Sequence, residues 1–89
     1  MSTRIFKYPL KNEDEQIIKM PLGYRILTVQ VKDNVPCLWA LVDDEEKHII
    51  SCEIKTVGTG CSLDVNPWWY IGTYQLNQLV FHVFEYKPF

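Results

Sequence analysis

Residues 24–32 repeat with a period of two: Ile26, Thr28, Gln30 and Lys32 point one way, Leu27, Val29 and Val31 the other. This is the period of a half-buried strand. Asp33-Asn34 follows, a pair of short polar side chains that tolerate the left-handed backbone of a tight turn. The next run, Pro36-Cys37-Leu38-Trp39-Ala40-Leu41-Val42, should therefore return antiparallel and form a central hairpin. Unlike its neighbour it is apolar on both faces, the pattern of a strand covered on both sides. A fold that accepts it must supply a second cover.

The rest of the chain reads in the same alphabet. Arg4–Tyr8 is a short strand halted by Pro9, which cannot donate to a ladder, and Gln16–Met20 resumes an extended pattern until Pro21 and Gly23. With the acidic piece Asn12–Glu15 between them, a hairpin-like return is the simple expectation. A helix over residues 12–20 is weaker, because Ile17-Ile18 is β-branched and Pro21 follows closely. Asp43–Lys47 reads as a solvated hairpin end. Its carboxylates lack the spaced oxygen ligands and the glycine of a calcium loop, so no metal is expected there. Ile49–Val57, Trp69–Leu76 and Leu79–Tyr86 complete the strands, the last two joined at Asn77-Gln78. The final strand is two-faced again, with Leu79, Phe81 and Val83 opposite Val80, His82, Phe84 and Tyr86. The expected fold is all-β: a small antiparallel β-sandwich or barrel of about six or seven strands, with room for a helical turn in a loop. Residues 1–89 read as one β domain without repeat, linker or low-complexity segment.

At this length only about 60–65% of the unfolded chain's surface can be buried, so the core is thin, and the two-faced strands predict a homo-oligomer. A composition that is 47% hydrophobic excludes disorder, and a formal net charge of −2 gives no footprint for duplex nucleic acid. No apolar run approaches a membrane span, and Met1–Leu10 lacks the apolar core of a signal peptide, so a cytoplasmic protein is the expectation. Cys37, Cys52 and Cys61 are far apart and lack metal-finger spacing. Cys37 and Cys52, inside strand-like runs, read as buried structural thiols.

Candidate chemistry gathers between Val57 and Gln75. Gly58-Thr59-Gly60 suits either a turn between strands or an anion-binding nest of backbone N–H groups. Trp68, Trp69 and Tyr74, with Trp39 if it is not core, offer rings on which bases stack. His82 lies between Phe81 and Val83 and reads as a satisfied, partly buried residue or as a ligand contact; His48 reads as exposed. Arg4 and Arg25 are the only arginines, and their planar forks match phosphate oxygens if either reaches the glycine loop. No HxxxH, GxSxG or Walker loop is present, so no enzyme activity, catalytic residue or cofactor is expected. The candidate ligand-binding set is Gly58, Thr59, Gly60, Trp68, Trp69, Tyr74, His82 and Arg25.

Several words in a particular order resemble a family of small phage and prophage proteins classified as a domain of unknown function. They are Lys7-Tyr8-Pro9-Leu10, Asp14-Glu15-Gln16, Met20-Pro21, Ile26–Gln30, Pro36–Asp43, Gly58-Thr59-Gly60, Tyr70–Gln75 and Leu79–Glu85. Trp68 and Trp69 depart from the more acidic filling of that family. The resemblance implies a phage gene acting in the host cytoplasm during infection, and small phage accessory proteins commonly interfere with host machinery or immunity. Two functions follow as expectations: sequestering a small cyclic or linear nucleotide that signals immunity, or docking on a host protein or a phage assembly.

Overall fold

Asp33 and Asn34 both adopt positive φ, 53° and 65°. Two consecutive left-handed residues twist a two-residue turn in the sense that antiparallel strands require. They join β3 (Arg25–Lys32) to β4 (Val35–Asp43), with Lys32 opposite Val35. Asn77, at φ 58°, is the one left-handed residue of the two-residue turn between β6 (Trp68–Leu76) and β7 (Leu79–Tyr86). These two hairpins fall where the sequence places them. The remaining strands are β1 (Thr3–Pro9), β2 (Glu15–Pro21) and β5 (Ile49–Gly58). The computed structural model describes residues 2–64 and 66–87, so Val65, in the connection between β5 and β6, lies outside the described residues.

The strands form two antiparallel sheets, β1-β4-β3 and β2-β5-β7-β6, stacked as a β-sandwich; no helix occurs among the described residues. Two connections differ from expectation. β1 pairs with β4 and β2 with β5, so no hairpin joins β1 to β2 and the segment between them crosses from one sheet to the other. Likewise Asp43–Lys47 is not a hairpin end but a crossover from β4 to β5. Two of its carboxylates bind backbone: Asp43 Oδ1 accepts from the N–H groups of Ser2 at 3.1 Å and Glu45 at 3.0 Å, and Glu46 Oε1 accepts from His48 N–H at 3.1 Å. These bonds hold both carboxyls below their ordinary range.

The core lies between the sheets. β4 contributes Leu38, Ala40 and Val42, β3 contributes Val29, and the other sheet contributes Met20, Cys52, Ile54 and Val83. Cys37 is also buried, and Trp39 is half-buried on the outer face of the first sheet, across from Lys7 and Thr28. A β-bulge between Ile26 and Thr28 breaks the alternation read from sequence. Ile26 now sits opposite Ala40 and Val29 opposite Leu38, both core residues, while Leu27 is 43% exposed. One extra residue has rotated the first part of the strand by one face.

β3 packs beside β6 and closes one flank of the sandwich. The approach is close enough to need Gly72: a Cβ there would stand 2.9 Å from Val29 Cγ1. The opposite flank carries the free margins β1 and β2. They share a pattern, Ile5-Phe6-Lys7-Tyr8-Pro9-Leu10 and Ile17-Ile18-Lys19-Met20-Pro21-Leu22. This short internal echo was not expected.

Candidate functional site

The glycine loop leaves β5 at Gly58 and turns back through Gly60, whose φ of 92° favours glycine. Two of its N–H groups already have partners. The Thr59 N–H donates to the Val80 carbonyl at 3.1 Å, and Cys61 N–H donates to the Gly58 carbonyl at 3.1 Å. The loop is thus built as a turn docked on β7, rather than as an open nest of donors.

Thr59 also starts a chain of side-chain bonds across the outer face of the second sheet. Its hydroxyl lies 3.3 Å from the Val80 carbonyl and 2.8 Å from His82 Nε2. His82 Nδ1 is 2.9 Å from Thr73 Oγ1, which is 2.5 Å from the Tyr70 hydroxyl. One direction satisfies every member. Tyr70 donates to Thr73, Thr73 to His82 Nδ1, His82 Nε2–H to Thr59, and Thr59 to the carbonyl. His82 is half-buried, and both its ring nitrogens have hydroxyl partners. Farther along the same face, Trp68 meets Tyr86 edge-on at 5.4 Å under the ammonium of Lys55, and Tyr70 meets Phe84 at 5.7 Å.

A different group forms a cleft of about 380 Å³ at the end of the sandwich where the two hairpins turn. Tyr74 and Phe81 stack there with ring centroids 5.3 Å apart. Leu10, Val35, Pro36 and Leu79 add apolar surface, while Lys11, Asn12, Asn34 and Asn77 bring polar groups. Gln16 braces the Lys11 backbone, accepting its N–H at 2.9 Å and donating to its carbonyl at 3.0 Å. A second hollow of about 400 Å³ lies against Gly58 and Thr59 and shares Leu79 and Phe81 with the first. Gly58, Thr59 and Tyr74 thus stand on two sides of one wall.

The other expected site residues are elsewhere. Trp68 and Trp69 open β6, whereas Tyr74 lies near its end, and neither tryptophan lines this cleft. Trp69 donates its indole N–H to the Lys87 carbonyl at 3.0 Å. Arg25 lines a separate hollow with Thr3, Leu22 and Asp43, away from the glycine loop, so no arginine completes a phosphate site there. Arg4 forms an ion pair with Asp44. Lys11, Asn12, Asn34, Asn77 and Phe81 were not singled out from sequence. The turn residues among them read as turn chemistry alone, and only the topology brings three separate connections to one cleft. No group of residues able to hold a metal occurs among the described residues.

Searches of curated proteins and of solved structures returned no match to the chain. A family match covers residues 1–89, and the chain belongs to the family described as a domain of unknown function, DUF7352.

Proposed function

We propose that the chain is a non-enzymatic binder of a small nucleotide, with the base held in the cleft between the two hairpin turns. The observation that carries this reading is the Tyr74–Phe81 stack inside a cleft of about 380 Å³, a volume within the usual range for small-molecule sites. An aromatic wall offers a base its face. The carboxamides of Asn12, Asn34 and Asn77 present the donors and acceptors that a base edge needs, and Lys11 supplies a cation for a phosphate. The resemblance to phage and prophage proteins suggests the setting: a phage protein in the host cytoplasm that withdraws a nucleotide signal of immunity.

Calorimetric titration with a panel of cyclic and linear nucleotides tests this. The expected result is saturable binding to one of them, weakened by about tenfold or more in Lys11→Gln or in Asn77→Gly. The second variant removes a carboxamide while keeping the positive φ. Absence of heat from every nucleotide, alongside a stoichiometric host protein on the purified chain, would overturn the reading. It would favour the docking alternative instead, for which Trp68, Tyr70 and Tyr86 on the outer face of the second sheet are suitable anchors.

A further inference from the structure

The second sheet ends at β2, and the hydrogen-bond parity of that strand determines what its margin presents. Thr56 N–H donates to the Asp14 carbonyl and Leu22 N–H to the His48 carbonyl, each at 2.8 Å. The peptide groups of even-numbered residues therefore face β5, and those of Glu15, Ile17 and Lys19 face away from it. Pro21 falls on the same outward parity, where its missing N–H costs no ladder bond. The outward groups span a segment centred on Ile17, whose side chain is 61% exposed.

We infer that two copies of this chain pair through β2, antiparallel, about a two-fold axis at Ile17. In that register Ile17 opposes Ile17 of the second copy, and Glu15 of each copy opposes Lys19 of the other. All three pairs fall on outward-facing peptide groups, so the backbone bonds and the side-chain matches agree in one register. The charges are reciprocal about the axis, as an isologous contact requires. Glu15 has no ion-pair partner among the described residues. Lys55, across the ladder from it, points over Trp68, and Lys19 bonds only to the Ser51 hydroxyl at 2.8 Å. β1 lacks this match, because centring it on Ile5 would set Thr3 against Lys7. Pairing through β2 joins the two four-stranded sheets into one continuous sheet and leaves no β2 margin for a third copy.

Sedimentation equilibrium on the whole chain and four variants tests the register. The wild type is expected to be a dimer. Glu15→Lys and Lys19→Glu each place like charges opposite one another and should weaken the dimer by roughly tenfold or more, while the double exchange restores it. Ile17→Pro removes an N–H that faces away from β5, so it should leave a folded monomer by circular dichroism. A monomeric wild type would overturn the proposal, as would a dimer indifferent to both single reversals or singles that the double exchange fails to rescue.

Discussion

Glu85 is 4% exposed on the inner face of β7, an unusual place for a carboxylate in so small a core. It is held by the Tyr24 hydroxyl, which donates to Oε2; the Cys52 thiol lies 3.8 Å from the same oxygen, and Lys87 Nζ is 3.7 Å from Oε1. A buried carboxylate is costly without such donors. Tyr24→Phe keeps the ring and removes one of them, so unfolding by urea should show a loss of about 1–3 kcal/mol. A variant as stable as the wild type would show that the bond contributes nothing. None of this was legible from the sequence. Glu85 belongs to the final strand and Tyr24 to the approach to β3, and the two are 61 residues apart.

Among the elements, β3 shows how far a periodic pattern can be trusted. Alternation alone places Leu27 and Val29 on one face, but the bulge leaves Leu27 43% exposed and Val29 3% exposed. The two positions should therefore respond differently to truncation. Val29→Ala is expected to cost about 2 kcal/mol, since it removes apolar volume from the core beside Gly72, whereas Leu27→Ala should stay within about 1 kcal/mol. Equal losses in thermal or denaturant melts would mean that the strand runs without the bulge. The hairpin turns were legible at this scale because Asp33, Asn34 and Asn77 carry the turn chemistry themselves. The bulge was not, since Ile26, Leu27 and Val29 are all apolar and either register satisfies their chemistry.

For the whole molecule, the buried cluster makes stability depend on alkaline pH. Burial pushes the Cys52 thiol up to about 11 from an ordinary 9.0, and it raises Tyr24 further above the usual tyrosine range. Both groups are neutral in the folded state at pH values where the unfolded chain would ionise them. Their contribution is intact below pH 9 and is lost as pH rises through about 11 for Cys52. Denaturant melts from pH 8 upward should show falling stability, with a shallower fall in Cys52→Ala than in the wild type. A fall of the same slope in both would remove Cys52 from the cause.

What the sequence determined alone was the alphabet of the fold: seven extended segments, the residues that turn them, the burial of Cys37 and Cys52, and hence the all-β class. Those signals are local, carried by a period of two and by side chains that tolerate positive φ. The tertiary structure decided which strands share a sheet. Pairing β1 with β4 and β2 with β5 is a non-local choice among apolar edges of similar chemistry, and no neighbouring residue specifies it. The pairing of β5 with β7, equally non-local, docked Thr59 and His82 against each other. Together these pairings sent Trp68 and Arg25 away from the glycine loop, and they brought Lys11, Asn34 and Asn77 around Tyr74 and Phe81 from three separate connections.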